Sequence, residues 1–152
     1  MKLDEIDKRI LRVLQRNGRI ANNDLAREVG LSPSPCLRRV RLLEEAGVID
    51  RYVAVLDPAR TGKGQFFFAR IWLKAQDEDT IEHFASEVLK LPEVLECYLM
   101  LGDCDAMVRC VAADISDYRR FQSEHLSRIR GVQNVKTDVP SQIVKQTSEL
   151  PL

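Results

Sequence analysis

An α+β fold in two modules is predicted, three short helices followed by a doubled strand–helix unit, and three observations lead there. Apolar residues recur with helical spacing over the first 46 positions and are interrupted at glycine-bearing stops. Beyond residue 64, runs rich in β-branched and aromatic residues alternate with helical patterns in the order β-α-β-β-α-β. The charge divides at the same place. Residues 1–64 carry 13 Lys and Arg against 9 Asp and Glu, a net of +4, whereas residues 65–152 carry 10 against 14, a net of −4. The 152-residue chain is neutral as a whole, so the split points to modules with different partners. Its 45% hydrophobic and 30% charged residues suit a soluble globular protein of one domain or two small ones. No apolar run approaches the roughly 18 residues of a spanning helix, and none follows the N-terminus as a signal peptide would. Cys36, Cys97, Cys104 and Cys110 form no CxxC pattern, which predicts reduced thiols in a cytoplasmic protein.

In the first module, Leu3, Ile6, Ile10, Val13 and Leu14 fall on one helical stripe that Asn17-Gly18 ends. A short helix over residues 23–29 follows, with Leu25, Ala26 and Val29 inward and Gly30 as its stop. Pro35 disfavours a helical Ser34, so the next helix is predicted over residues 35–46 with Ser34 as N-cap and Pro35 at the first helical position. Cys36, Val40 and Leu43, with Leu37 beside them, should face the core. Arg38, Arg41 and Glu45 point away, with Arg39 on the flank. A β-branched run over residues 48–56 reads as a strand. Two helices joined by a tight Gly-containing turn, the second bearing arginines outward, form the helix-turn-helix pattern. The Ser34 hydroxyl at a free helix N-terminus can take a phosphate, and arginine forks can reach phosphates or guanine edges. A merely solvated Arg-rich face is the plainer reading; the helix spacing, Gly30 and the positive charge favour DNA.

Residues 57–64, with Pro58, Gly62 and Gly64, read as a hinge between a domain of residues 1–56 and one of residues 65–152. Strands are predicted at 65–75, 94–101, 106–112 and from 132 onward, with helices at 77–91 and 116–129. This is the order of a ferredoxin-like fold. Leu91-Pro92-Glu93-Val94 and Ile129-Arg130-Gly131-Val132, 38 residues apart, each run from a helix end through a turn into a strand, as two halves of a duplication would. On the first strand Phe67, Ala69, Ile71 and Leu73 point to the helices, leaving Phe66, Phe68 and Trp72 with Arg70 and Lys74 on the other face. Three aromatics there predict a dimer packed sheet to sheet, cover by the N-terminal module being the plainer alternative.

The segments Leu3-Asp4…Asp7…Ile10-Leu11, Gly30-Leu31-Ser32-Pro33-Ser34-Pro35-Cys36-Leu37-Arg38-Arg39-Val40, Ala46-Gly47-Val48-Ile49, Glu96-Cys97-Tyr98…Gly102-Asp103-Cys104-Asp105 and Leu150-Pro151-Leu152 resemble the Lrp/AsnC, or feast/famine, bacterial transcriptional regulators along nearly the whole chain. The resemblance implies a winged helix-turn-helix domain, a hinge and an effector-binding RAM domain. It also implies dimers that assemble to octamers or related rings on double-stranded DNA, in the cytoplasm and on the nucleoid, with a free amino acid bound between dimers. Carried over, Ser34, Arg38, Arg39 and Arg41 are the DNA-binding residues, and Met100, Leu101, Gly102, Asp103, Cys104, Asp105 and Thr137 the effector site. No cofactor and no metal is implied. The turn departs from the family pattern, because Cys104 and Ala106 stand where two large rings are usual, and Pro140 implies a bulge or edge position in the last strand.

Other readings are weaker. An enzyme could use Asp103 and Asp105 with Cys104, but no nucleophile–base set is visible, and His83 and His125 fall on helix surfaces. A cysteine-based redox or metal sensor lacks ligand spacing. A ligand-independent DNA-organising protein shares every DNA-binding feature.

Overall fold

The structure is a computed structural model and describes residues 2–152. It forms two compact units, one of residues up to Val55 joined by Val144–Leu152, the other of Leu56–Ile143.

In the first unit, helix α1 (Glu5–Arg16) begins at Asp4, whose carboxylate accepts from the N–H groups of Ile6 and Asp7 at 2.9 and 2.8 Å. The Asp7 carboxylate in turn accepts from Asp4 N–H at 3.1 Å, so three otherwise unpartnered donors are satisfied. Helix α2 (Asn22–Val29) stops at Gly30, whose φ of 75° turns the chain so that Leu31 N–H reaches back to the Ala26 carbonyl at 2.8 Å. Helix α3 (Pro33–Glu45) starts two residues earlier than predicted, with Ser32 as N-cap and Pro33 at the first helical position. Ser34 is therefore inside the helix. The first-turn N–H groups have no intrahelical acceptor, so Pro33 and Pro35 both fit there without losing a bond. Ile10, Leu11, Leu25, Ala26, Val29, Cys36 and Leu43 pack into one core, with Val40 against its edge. Leu37 is not part of it: at 39% exposure it lies on the outer side of α3.

Residues 50–57 form no strand. Val53, Val55 and Leu56 stay exposed, since a β-branched run needs a neighbouring strand before its backbone can pair. The tail, grouped above with the second module, lies on α1 instead. Gln15 pairs with the Leu150 backbone twice (Nε2 to O, 3.1 Å; Leu150 N–H to Oε1, 2.6 Å), Arg12 Nε donates to the Leu152 carbonyl, and Arg16 meets Glu149 at 2.8 Å.

The second unit is a four-stranded antiparallel sheet in the order β2-β3-β1-β4, formed by β1 (Gln65–Leu73), β2 (Val94–Leu99), β3 (Ala106–Ala112) and β4 (Val132–Asp138). Helices α4 (Glu78–Val88) and α5 (Ile115–Glu124), the latter followed by a 3₁₀ turn at Leu126–Arg128, supply Phe84, Val88, Tyr118 and Phe121 to one core with Phe67, Ala69, Ile71 and Val108. The duplication is visible in the backbone: Val94 N–H donates to Leu91 O, and Val132 N–H to Ile129 O, both at 3.1 Å. β4 is an edge strand that ends at Asp138, so Pro140 lies beyond it rather than within it.

The sheet's other face is less bare than its sequence suggests. Phe66 is buried, with the Arg109 guanidinium 5.2 Å from its ring centre. Phe68 and Trp72 are half-buried, and Lys136 Nζ sits 5.2 Å from the Trp72 ring. The arginines there are already paired, Arg70 with Asp138 at 2.9 Å and Arg109 with Glu96 at 2.7 Å.

Candidate nucleic-acid interface and effector loop

Three residues, Gly30 to Ser32, separate α2 from α3, and Asn22 Nδ2 donates to the Pro33 carbonyl at 2.9 Å, fixing the start of α3 against the start of α2. Sequence reading had no handle on Asn22, whose role depends on where the second helix turns. Along α3, Ser34, Arg38 and Arg41 follow at i, i+4 and i+7 and are all exposed. They line one shallow groove of about 250 Å³ together with Leu37, Leu42 and Glu45. Neither Arg38 nor Arg41 enters an ion pair among the described residues. Because Pro33 and Pro35 have no N–H, Ser34 is the one residue of the first three helical positions that offers a backbone donor, and it adds a hydroxyl.

Arg39 leaves this set. Its Nη1 donates to Asp4 Oδ2 at 2.8 Å and to Asp7 Oδ1 at 2.7 Å, and Asp7 is buried. A step of about 100° per residue carries Arg39 off the outer stripe and towards the N-terminus of α1. The missed signal is the pair Asp4 and Asp7, one helical turn apart at the head of α1.

In the second unit the residues between β2 and β3 form a stapled loop. Met100 N–H donates to the Asp105 carbonyl at 2.9 Å and Trp72 Nε1 donates to the Asp103 carbonyl at 2.8 Å. Both oxygens of the Asp105 carboxylate are engaged, Oδ2 accepting from Leu73 N–H at 2.7 Å and Oδ1 from Gln76 Nε2 at 2.8 Å. Cys104 is buried. What the loop shows to solvent is therefore Met100, Leu101, Gly102 and the Asp103 side chain. Thr137 does not join them: its hydroxyl lies 2.7 Å from the Tyr118 hydroxyl, on the helix-covered side of the sheet.

Two buried thiols are held in the neutral form. Burial pushes Cys110 up to about 12 and raises Cys36 as well, which disfavours the thiolate that redox or metal chemistry needs.

A helix-turn-helix with exposed arginines on its second helix, in one chain with a ferredoxin-like domain, defines a DNA-binding transcriptional regulator that carries its own ligand-binding domain. A family model described as a winged helix-turn-helix DNA-binding domain matches residues 3–50, and one described as the Lrp/AsnC ligand-binding domain matches residues 67–150. The chain belongs to the Lrp/AsnC family. It is 43% identical over 148 residues to the leucine-responsive regulatory proteins of Escherichia coli K12 and of Klebsiella pneumoniae, covering 97% of this chain and 90% of theirs. Among solved structures it is similar to a transcriptional regulator of Neisseria meningitidis in complex with L-methionine (TM-score 0.95, 38% identity, 99% of this chain and 97% of that one). An AsnC-family regulator of Agrobacterium tumefaciens is comparable (TM-score 0.93, 38% identity, 98% and 97%). These relatives are regulators of transcription, not enzymes. No helix among the described residues is long and apolar enough to cross a membrane.

Proposed function

We propose that this protein is a sequence-specific regulator acting on double-stranded DNA in the cytoplasm, as part of the nucleoid, and that a free amino acid alters its assembly and its grip on the operator. The observation that carries the DNA half is the exposed Ser34, Arg38 and Arg41 face of α3, where neither guanidinium enters an ion pair among the described residues. In the major groove such forks reach guanine O6 and N7 or phosphate oxygens, while Ser34 supplies short-range donors to a phosphate.

For the effector, the exposed Asp103 carboxylate suits an α-ammonium group, and Met100 with Leu101 suits an apolar side chain. Asp105 holds the loop's shape from within. The L-methionine bound to the Neisseria relative supports an apolar amino acid as the class. The half-buried aromatics of the open sheet face, with their arginines paired, support a dimer as the unit from which octamers are built.

The test is a duplex selected from a randomised pool by the full-length protein, titrated by fluorescence anisotropy with and without each of the twenty amino acids. Arg38→Ala and Arg41→Ala should each weaken binding by about 1–3 kcal/mol, and one or a few amino acids should shift the curve. Unchanged affinity in both variants would remove α3 as the reading helix. A curve that no amino acid moves would leave a ligand-independent DNA organiser.

A further inference from the structure

We propose that Leu37 reads the 5-methyl group of a thymine, next to the base that the arginines of α3 contact. This rests on α3 being the helix that enters the major groove. The core of the first unit is completed without Leu37: Cys36 and Leu43 are fully buried and Val40 packs beside them, whereas Leu37 keeps 39% of its surface exposed. It follows Ser34 by one turn, precedes Arg38 directly, and helps line the groove in which Ser34, Arg38 and Arg41 meet. It also stands within the first two turns, the part of a recognition helix that contacts base edges.

The chemistry of the major groove then selects its target. In that groove guanine offers N7 and O6, cytosine an amino group beside a bare C5–H, adenine N7 and an amino group, and thymine alone offers a methyl group. A leucine pressed against any polar edge would strip its water without replacing a hydrogen bond, at a cost; against the thymine methyl it buries apolar surface at no such cost. Leu42, exposed at 43%, lies further along and on the opposite flank of the arginines, so the same opportunity falls to Leu37 first.

The test uses the full-length protein and a selected duplex in which each thymine is replaced in turn by deoxyuridine, which removes the methyl group alone. At one thymine in a half-site the wild type should lose about three- to fivefold in affinity, the worth of one buried methyl. Leu37→Ala should bind more weakly from the start, show no further loss at that same thymine, and keep the wild-type salt dependence, since its phosphate contacts are intact. Its melting temperature should match the wild type's, because Leu37 is outside the core. A wild type indifferent to every deoxyuridine, or a Leu37→Ala protein with the full loss still present, overturns the assignment. Arg38→Ala and Arg41→Ala, run on the same duplex, separate the two failures. If they weaken binding while Leu37 shows no coupling to a methyl, only the leucine reading falls; if they bind as wild type, the recognition helix itself is wrong.

Discussion

Arg39 spends on two carboxylates of the first unit the guanidinium donors that its neighbour Arg38, in the proposed reading, offers to DNA. One nitrogen is shared by the carboxylates of Asp4 and the buried Asp7, tying α3 to the capped start of α1. Truncation to Ala leaves Asp7 without its cation in a place where water reaches it poorly. Arg39→Ala should therefore cost about 1–3 kcal/mol, read from urea unfolding of the whole protein, and weaken DNA binding only through lost folding. Lysine, a single point charge, should restore part of the loss. The Asp4 carboxyl is held below its ordinary 3.8 first by the Asp7 N–H and then by Arg39. Asp77 is held low by the Thr80 N–H, and Asp117 by the Ala113 N–H and Arg120. Folding thus favours the ionised form of each. Their contribution is complete above the unfolded value of 3.8 and drains away as pH falls through the lower folded values. Stability followed by circular dichroism should decline from about pH 4 downward, and the decline should be shallower in Arg39→Ala, where part of the Asp4 shift is already gone.

At the scale of elements, the joint between the 3₁₀ turn and β4 is more constrained than its twin. Gly131 has a φ of 96°, and a Cβ built on it would come within 2.9 Å of Thr80 Cγ2, while its carbonyl accepts from Lys74 N–H at 2.8 Å. At the equivalent point of the first half the chain turns through Glu93. Gly131→Ala should destabilise by about 1–2 kcal/mol, through strain and through pushing α4 off the turn; thermal or urea unfolding would show it, and an unchanged midpoint would contradict it. Elements of this kind were legible because their signals are local. Periodicity placed every helix and every strand of the sheet within a few residues, and Gly30 and Gly131 marked their turns. Four features were not legible in this way. Ser34 looks like a cap because Pro35 follows it, yet a first-turn proline loses no bond and Pro33 starts the helix sooner. Leu37 looks like core because it adjoins Cys36, yet one residue turns it past the edge of the buried stripe. The strand expected over residues 48–56 depends on a partner that the local pattern does not name, and the tail's place on α1 depends on pairs such as Gln15 with Leu150, 135 residues apart.

For the whole molecule, Trp72 is where the proposed assembly face and the proposed effector loop share a side chain. Its ring lies on the open face of the sheet, beside Arg70 and Lys136, and its indole N–H holds the Asp103 carbonyl at 2.8 Å. Burying that face against a second copy would desolvate Arg70 and Arg109, but each already has a carboxylate at 2.9 and 2.7 Å, so the cost of bringing charge into an interface is partly offset in the monomer. The two roles of Trp72 can be separated by chemistry. Trp72→Phe keeps an apolar ring on the face and removes only the donor to the loop. It should sediment as wild type does, while its amino-acid affinity, measured by calorimetry, falls about two- to tenfold, the worth of one hydrogen bond that shapes the site. Trp72→Lys adds an unpaired cation to the face beside Arg70 and Lys136 and should shift sedimentation towards the monomer at micromolar concentration. A Trp72→Lys protein that sediments unchanged would mean that copies meet elsewhere. A Trp72→Phe protein that binds amino acid with unaltered affinity would mean that the loop is held, or the ligand seated, without the indole.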